Sequence, residues 1–309
     1  MNMIYFFAWF IFSFIVLSII GLLVWWIDRK ITARVQWRVG PPWYQNFADF
    51  IKLTGKEVLI PEGSNKFIFV FAPILSVIAS TICGSIILLV LMNSFGFGGD
   101  LILFVYLLTI PSLSIILGGS ASGNVLASVG ISRELKLLLS YELPFICGII
   151  IPALKANSTT SLIEILKFQQ INGSNILSFS GIIGFVIILI ASIGKLGLVP
   201  FDLSEAETEI AGGSLIEYSG ILLGFYKLSK AILFVVVPLF IVILYLGGTQ
   251  ITGFGSFLIF VLKYLIVVIL ITLIRNTNPR LRIDQALKFF WGWLTLIGIV
   301  GILISLSGV

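Results

Sequence analysis

Apolar residues run through this chain in long stretches instead of alternating with polar ones. Several stretches reach the roughly 20 residues that a helix needs to cross about 30 Å of hydrocarbon. The strands of a transmembrane β-barrel would alternate instead. Glycine and proline separate the stretches, as in the segment GFGGD at 96–100. The pattern predicts eight transmembrane helices, at approximately residues 4–27, 67–92, 101–118, 135–154, 178–198, 218–246, 255–274 and 289–307.

The loop after the first predicted span has a different pattern. Pro41 and Pro42 would end a preceding helix, so a new helix can begin near Trp43. From there, aromatic and aliphatic residues recur at the spacing of one helix face, and charged residues fall on the other faces. This spacing indicates an amphipathic helix lying in the membrane interface. The alternative is a loop that rests on the lipid headgroups.

The chain as a whole is predicted to form one all-α integral membrane domain, residues 1–309. No segment repeats another, directly or inverted. The first apolar stretch has no basic segment before it and is longer than the apolar core of a signal peptide. We therefore expect it to remain as a helix of the mature protein.

The distribution of positive charge predicts the orientation of these helices. Fourteen of the nineteen Lys and Arg residues lie on one side of the predicted spans, in the loops 28–66, 119–136, 195–217 and 275–288. The opposite side, which includes both termini, carries only Lys155 and Lys167. Because cytoplasmic loops are enriched in Lys and Arg, the first side is predicted to face the cytoplasm and the termini to lie outside the cell membrane. The net charge of +5 therefore reflects topology and does not indicate a nucleic-acid partner.

Residue types that bind redox metals are almost absent. The chain has no histidine, and its two cysteines, Cys83 and Cys147, lie inside separate apolar stretches. An iron–sulfur cluster needs about four thiolates, and haem or zinc generally uses His or Cys ligands. We therefore expect no cofactor to be bound by this chain and both cysteines to be small core residues.

Acidic residues are crowded into one predicted cytoplasmic loop. Five of the fourteen lie there, with no Lys or Arg between Lys195 and Lys227 to neutralise them: Asp202, Glu205, Glu207, Glu209 and Glu217. The segment predicts a short acidic helix that Ser204 and Glu207 cap as a capping box and Gly212-Gly213 end. Glu205 and Glu209 would share one face of this helix. Mutual repulsion would raise the pKa of some of these carboxyls, making them candidates to hold protons near neutral pH. The alternative is a solvated acidic loop.

Charged residues also lie inside or beside the predicted spans. Glu134 and Glu142 are eight residues apart on one predicted helix, separated by about 80° around it and roughly 12 Å along it. Basic neighbours place Glu134 near the interface, whereas Glu142 lies deeper. Lys227 and Lys230 share a face of the sixth span, and a charge at that depth is costly unless it is paired or hydrated. Glu142 is predicted to pair with one of these lysines, either in a proton relay or as a structural ion pair.

Basic and aromatic residues in two of the basic loops are candidates for docking a partner protein. They are Arg34, Arg38 and Trp43 in the first loop, and Arg275, Arg280, Arg282 and Asp284 in the last. Anchoring at the lipid headgroups explains the arginines as well. Pairing with the acidic segment is a further explanation for those of the last loop.

Three stretches of the chain occur in the same order in a known family. They are LLLSYE at 137–142, VPFDLSEAETEIAGGSLIEYSG at 199–220 and TLIRNTNPRLRIDQALKFFW at 272–291. They resemble the subunit-1 (NuoH-like) family of respiratory complex I. The first basic loop and the eight predicted spans match as well, so the resemblance covers essentially the whole chain.

One branch of the family is favoured by the details. The compact loop VQWRVGPPWYQNFADFIKL at 35–53 is similar to the membrane-anchor subunits of energy-converting membrane-bound hydrogenases and sulfane reductases. Quinone-reducing members usually have a longer loop, and a basic residue where this chain has Leu198-Val199. Lys230 lies where many complex I relatives have a carboxylate. Both departures argue against a quinone site and against a literal transfer of the complex I proton route.

The resemblance implies a non-catalytic subunit that couples electron transfer to ion pumping. Its partners would be a hydrogenase-like large subunit and an iron–sulfur small subunit of a soluble arm, antiporter-like and small membrane subunits, and membrane lipid. Reduced ferredoxin would be the electron donor. Iron–sulfur clusters, and a nickel–iron centre in hydrogenase-type complexes, would lie in the partners. The nine acidic and lysine side chains named above, from Glu134 to Lys230, would form the proton relay, with Glu207 and Glu209 the first choices for changing charge.

Three other functions remain open at this point. A quinone-reactive complex I subunit would bind quinone near the first and third basic loops. A stand-alone ion transporter would work as a single chain, and repeated halves with broken helices would support it. A purely structural anchor would keep pumping intact when Glu142 or Glu207 is replaced by Gln.

Overall fold

In the computed structural model, the described residues, 3–92, 96, 98–248 and 253–307, form helices joined by loops. The side chains of residues 3, 4, 6, 207 and 208 are outside this description. The helices are α1 (Met3–Val35), α2 (Gln45–Thr54), α3 (Lys66–Leu91), α4 (Asp100–Ala121), α5 (Val125–Lys155), α6 (Leu162–Asn172), α7 (Phe179–Lys195), α8 (Glu207–Ile210), α9 (Gly220–Tyr245), α10 (Phe254–Thr277) and α11 (Ile283–Leu306). The described residues include no strand, and the prediction of an all-α membrane protein is confirmed.

Seven of the helices are long and apolar enough to cross a membrane: α1, α3, α4, α5, α9, α10 and α11. The remaining predicted span, 178–198, is the fifth along the chain and corresponds to α7, which has 17 residues and is therefore about 25 Å long. That length is at the short end of the roughly 17–25 residues usual for a spanning helix. Each predicted span thus coincides with a helix, while the number of crossings stays a prediction.

Helix α9 lies at the centre of the bundle. Every residue from 231 to 245 is buried, as expected of a helix that is apolar on all sides. Helices α1, α2, α3, α7 and α10 pack around it. Gly21 of α1 allows close approach, since a Cβ there would lie 2.7 Å from the carbonyl oxygen of Ala231. Small residues at such contacts are typical of helix packing in membranes.

The last carbonyl groups of α9 are satisfied by side chains from other elements. Gln169 Nε2 donates to the Ile243 oxygen at 2.8 Å, and Asn175 Nδ2 donates to the Leu244 oxygen at 2.8 Å. Lys263 Nζ, from α10, donates to the Leu246 oxygen at 2.6 Å. A cation at this end also interacts favourably with the helix dipole. Lys263, which lies in the predicted span 255–274, is therefore a cap of α9.

We expect Lys263→Met to lower the stability of the purified chain by about 1 kcal/mol, because it removes this charge-assisted hydrogen bond and its interaction with the dipole. Denaturant unfolding in detergent micelles measures the change. Lys167→Met is the matched control, since Lys167 is exposed on α6. Equal shifts for both variants would contradict the role of Lys263 as a cap.

Helix α2 occupies the position of the predicted amphipathic helix, beginning two residues after Trp43. It is joined to α1 by polar contacts: Asn46 Nδ2 donates to the Leu22 oxygen at 2.9 Å, and Arg29 Nη1 donates to Asn46 Oδ1 at 2.6 Å. Trp43 and Ile51 remain 60% and 67% exposed. The exposed apolar side is suited to a membrane interface, so the prediction of an interfacial helix stands as a prediction.

The predicted acidic helix is much shorter than expected. Helix α8 has four residues, its N-cap is Ala206 and no side chain caps it, so the predicted capping box of Ser204 and Glu207 is wrong. Ser204 is buried before the helix, and its carbonyl accepts a hydrogen bond from Ser214 N at 3.3 Å. Tertiary packing of this segment overrides the local helix signal. Glu205 precedes α8 and does not share a helix face with Glu209.

The loops predicted to face the cytoplasm meet at one end of the bundle, which we call the basic end. Arg133 bonds Glu209 across two of these loops, and the Leu281 amide donates to the Pro200 oxygen at 3.1 Å. The Asn65 amide donates to the Ala121 oxygen at 3.0 Å, which joins the first loop to the second. These bonds place the four loops on one side, as the charge distribution predicted.

Candidate functional site

A cavity of about 160 Å³, which we call the polar cavity, lies among α4, α5, α7, α9 and the segment 202–206 near the basic end. Its charged lining residues are Glu134, Lys195, Glu205, Lys227 and Lys230. Serine hydroxyls from α3, α4, α9 and residues 202–217, which we call the acidic segment, complete the wall. The volume is sufficient for several water molecules, and the lining supplies the polar partners that buried water requires.

Glu134 lies inside the bundle near the basic end, and its predicted position near the membrane interface stays a prediction. It is only 7% exposed, and its carboxyl group faces the hydroxyls of Ser112 and Ser204. The reason is that the segment after α8 covers this part of α5. A Cβ on Gly130, one turn before Glu134, would lie 2.5 Å from the Ser214 amide nitrogen. The carboxyl is thus held beside the polar cavity and away from bulk solvent.

Glu142 pairs with Lys195, and the prediction that it pairs with Lys227 or Lys230 is wrong. Lys195 Nζ lies 2.6 Å from Glu142 Oε1, and the lysine side chain is 1% exposed. Lys195 is the last residue of α7, where the chain turns toward α5, and this brings its side chain to Glu142. The other carboxylate oxygen, Oε2, is buried without a hydrogen-bond partner among the described residues. Since Lys195 also lines the polar cavity, the pair connects Glu142 to that cavity.

The two lysines of α9 have different surroundings. Lys230 Nζ lies 3.0 Å from Glu205 Oε2, so the acidic segment supplies its partner. Lys227 lines the polar cavity, and no carboxylate of the described residues lies within 4.0 Å of its ammonium group. The helix therefore presents one paired and one unpaired cation to this region.

The acids of the segment 202–217 are neutralised by residues distant in sequence. Arg280 Nη2 lies 3.0 Å from Asp202 Oδ2, and Arg133 bonds Glu209. Glu217 accepts a hydrogen bond from the Asn124 side chain. A count of nearby Lys and Arg in the sequence misses these partners because they come from other helices and loops. The side chain of Glu207 lies outside the described residues.

Asp202 and Glu209 differ in their affinity for protons. Burial raises the pKa of Asp202, and the neighbouring Glu205 carboxylate adds to the rise, although Lys230 and Arg280 oppose it. The hydrogen bond and charge of Arg133 lower the pKa of the exposed Glu209. The predicted rise by mutual repulsion thus contributes at Asp202, where burial is the larger cause. Of these two acids, Asp202 is the one whose pKa is shifted toward neutral pH.

The predicted docking residues fall into two groups. Arg34, Arg38 and Trp43 are exposed on the first loop, and Arg282 and Asp284 are exposed at the start of α11. Arg275 and Arg280 are committed to ion pairs. Arg275 bonds the buried Asp28, and Asp28 also accepts from Thr272 Oγ1 at 3.0 Å. These two arginines therefore stabilise the basic end itself.

Sequence reasoning missed several residues of this region. Lys195 was not selected as the partner of a buried acid, and Asp28 was not selected at all. Trp37, which is 98% exposed beside the docking residues, was not selected. The local signal for Asp28 is a lone acid at the end of an apolar stretch, directly before two basic residues.

Two further cavities adjoin the polar cavity, and Trp25 lines all three. One, of about 140 Å³, contains Asp28, Asp202, Lys230 and Arg275. The other, of about 310 Å³, lies between α1, α2, α9 and α10. Charged groups from four loops therefore line neighbouring cavities at the basic end.

Comparison with known proteins identifies the chain's relatives. A family model described as NADH dehydrogenase matches residues 8–306. The NuoH subunit of the NADH-quinone oxidoreductase of Bacillus mycoides (strain KBAB4) is 33% identical over 292 residues, covering 90% of this chain and 86% of that protein. The corresponding protein of Bacillus cereus (strain AH187) is 33% identical over 293 residues, with the same coverage.

The fold has a close match among solved structures. A chain from the membrane-bound sulfane sulfur reductase, an archaeal respiratory membrane complex, superposes with a TM-score of 0.88 at 30% identity. The match covers 97% of this chain and 99% of that one. The predicted resemblance to the NuoH-like family is confirmed, and so is the likeness to a sulfane reductase complex, whereas the hydrogenase relationship stays a prediction. The chain therefore belongs to the NADH dehydrogenase family, as a NuoH-like membrane subunit of complex I-like assemblies.

Proposed function

We propose that this chain is the membrane-anchor and coupling subunit of a ferredoxin-linked, ion-pumping oxidoreductase complex of the hydrogenase or sulfane-reductase type. The observation that carries the proposal is the likeness, over almost the entire chain, to a subunit of the sulfane sulfur reductase complex. The polar cavity supports it, because buried acids and lysines are costly in a membrane protein unless they have a function or a partner.

The basic end would bind the soluble arm, made of a hydrogenase-like large subunit and an iron–sulfur small subunit. The exposed Trp37, Trp43 and Arg38 support this assignment, since aromatic and Arg side chains are enriched at protein interfaces. Iron–sulfur clusters would lie in that arm. Among the described residues, no group of three or more His, Cys, Asp or Glu side chains could hold a metal ion.

The apolar sides of the bundle would contact antiporter-like subunits, small membrane subunits and lipid. α1 exposes Phe7, Ile11 and Ile15, and α10 exposes Leu262 and Ile266. We place the complex in the cell membrane, with the basic end in the cytoplasm and both termini outside, because the positive charge is concentrated at that end.

Coupling would begin in the acidic segment. A change in charge or position of the docked arm acts on Asp202 and Glu205, whose partners Arg280 and Lys230 belong to the last loop and to α9. Burial favours the protonated form of Asp202, so a nearby charge can change its protonation. Glu207, Glu209 and Glu217 belong to the proposed group by their position in the same segment.

The signal would then pass through the polar cavity. Glu134 can exchange a proton with cavity water while the hydroxyls of Ser112 and Ser204 hold its carboxyl in place. A shift in its charge acts on Lys195, which lines the same cavity and holds Glu142 at 2.6 Å. A changed Lys195–Glu142 pair would transmit the change in the charge of Glu134 from the basic end toward the deeper part of α5.

Purification of the native complex tests the proposed function. We expect several chains, bound iron, and hydrogen evolution or polysulfide reduction when reduced ferredoxin is added. Ion uptake into inverted vesicles should accompany that reaction. A monodisperse single chain without iron that transports ions would overturn the proposal. Reduction of quinone by the complex would favour the quinone-reactive alternative.

Glu134→Gln is expected to uncouple the assembled complex. Electron transfer from ferredoxin should persist, whereas ion uptake per electron should fall about tenfold or more, because positioned proton-transfer groups contribute roughly 10²–10⁴-fold to proton-transfer rates. Glu164→Gln is the control, since Glu164 is exposed on α6 away from the basic end. Unchanged ion uptake in Glu134→Gln would remove Glu134 from the relay.

A further inference from the structure

The cavity of about 310 Å³ between α1, α2, α9 and α10, which we call the interface cavity, has a mixed lining. Three basic side chains line one part together with Asp49 and Asn46, and apolar side chains line the other. The basic residues are Arg29, Lys227 and Arg275, and the apolar wall includes Trp25, Phe50 and Leu53. Its volume is within the range of cavities that bind small molecules.

The interface cavity carries uncompensated positive charge. Arg29 is paired with Asp49, at 3.3 Å, and Arg275 with Asp28. Lys227 has no carboxylate partner among the described residues. The side chain of Lys227 is exposed, so an anion that reaches the cavity from outside the bundle can pair with its ammonium group.

Hydrogen-bond donors are left over for such an anion. Arg29 and Arg275 bond their carboxylate partners through Nη1, and a guanidinium has five N–H donors. Lys227 adds three. Arg and Lys together are the usual ligands of phosphate groups, Arg through its planar fork and Lys as a point charge.

The position of the cavity favours a lipid as the source of the anion. Lys227 lies in the third turn of α9, about 10 Å along the helix from Gly220. Helix α2, which forms one wall, carries the exposed Ile51 on its outer side, as an interfacial helix would. Long basic side chains at this depth commonly reach toward headgroups.

We propose that the interface cavity binds the phosphate group of an anionic phospholipid. Lys227 and the free N–H groups of Arg275 and Arg29 bind the phosphate oxygens, and Trp25, Phe50 and Leu53 contact the glycerol and the first acyl carbons. Inorganic phosphate shares the ionic chemistry but not the apolar contacts. The site is independent of the proposed ion pumping, because it depends only on this cavity and on membrane lipid.

The test uses the purified complex that contains this chain. Native mass spectrometry counts retained phospholipids, and the thermal unfolding midpoint is followed while three probes are added to the delipidated complex: dioleoyl phosphatidylglycerol, dioleoyl phosphatidylcholine and sodium phosphate. We expect phosphatidylglycerol to raise the midpoint most. Lys227→Met should lose one retained anionic lipid and bind phosphatidylglycerol roughly tenfold more weakly, because it removes a charge-assisted hydrogen bond to the phosphate.

Two further variants separate charge from packing. Lys227→Arg keeps the charge and should retain the lipid, and Lys52→Met, which removes an exposed lysine of α2 outside the cavity, should behave as the unaltered chain. The proposal is overturned if Lys227→Met retains the lipid, or if phosphatidylcholine protects the unaltered complex as well as phosphatidylglycerol does. Equal protection by sodium phosphate shows a free anion as the ligand and also overturns it. If Lys227→Met fails to assemble, the comparison of the three probes on the unaltered complex decides whether the proposal stands.

Discussion

Lys195→Met is expected to destabilise the chain by about 3–5 kcal/mol, the usual effect of removing one partner of a buried ion pair. Lys195 is the partner of Glu142 Oε1, and Glu142 Oε2 is already without a hydrogen bond among the described residues. The surrounding rings of Phe145 and Tyr141, 4.5 Å and 5.4 Å from Lys195 Nζ, stabilise a cation. Without that cation the carboxylate is left buried and unpaired.

Denaturant unfolding of the purified chain in detergent micelles measures this loss. Lys136→Met is the matched control, since Lys136 is exposed on α5. The double variant Glu142→Gln with Lys195→Met should recover much of the stability, because no charge then remains buried. Equal or greater destabilisation in the double variant would show that the two residues contribute independently and not as an ion pair.

The same double variant distinguishes a relay from a structural ion pair. A structural pair replaced by neutral side chains should leave an assembled complex that still pumps ions. The proposed relay needs a titratable group at this position, so pumping should be lost while electron transfer from ferredoxin continues. Assembly and stability are thereby separated from coupling, which Lys195→Met alone cannot do.

The membrane architecture is the part of this protein that hydrophobic patterning predicts best. Burial in lipid or in the bundle requires long apolar helices, and α3 and α9 coincide with their predicted spans to within about two residues. That requirement applies to each helix separately, so a run of consecutive apolar residues is enough to predict the helix. The same reasoning located the basic end, because positive charge is a property of each loop on its own.

Pairings between helices were not predictable in the same way. Glu142 was assigned to lysines of α9, whereas α7 supplies Lys195. Which cation reaches a buried acid depends on how two helices pack and where each one ends, and helix α7 ends with Lys195 facing α5. The acidic segment shows the same limit, since its cations come from residues 133, 230 and 280.

Gly213→Ala is expected to displace the acidic segment from the bundle. A Cβ at this position would lie 1.9 Å from the Ser204 carbonyl oxygen, and the backbone has a φ of 54° that favours glycine. Either the backbone moves or the hydrogen bond from the Ser214 amide to Ser204 breaks. Strain of a non-Gly residue at such a φ alone costs about 1–3 kcal/mol, and the steric overlap adds to it.

Gly212→Ala is the matched control for this steric effect. Its φ is also positive, at 100°, but the nearest atom to an added Cβ is Cα of Ile216 at 4.0 Å. Hydrogen exchange measured across 202–217 should show a loss of protection in Gly213→Ala and little change elsewhere in the bundle, with a smaller local loss in Gly212→Ala. Similar exchange in both variants would mean that backbone strain, and not the close contact with Ser204, causes the loss of protection.

The opposite side of the same contact provides an independent test. Gly130 of α5 packs against the segment, and an added Cβ at Gly130 would lie 2.5 Å from the Ser214 amide nitrogen. Gly130 has ordinary helical geometry, so Gly130→Ala introduces the overlap without strain in its own backbone and, on propensity alone, favours the helix. If Gly130→Ala exposes 202–217 as Gly213→Ala does, then close packing of these two glycines is what holds Glu205 at the polar cavity and Asp202 at the cavity beside it. Ion uptake should then fall in both variants, because the acids that receive the signal are no longer beside Glu134.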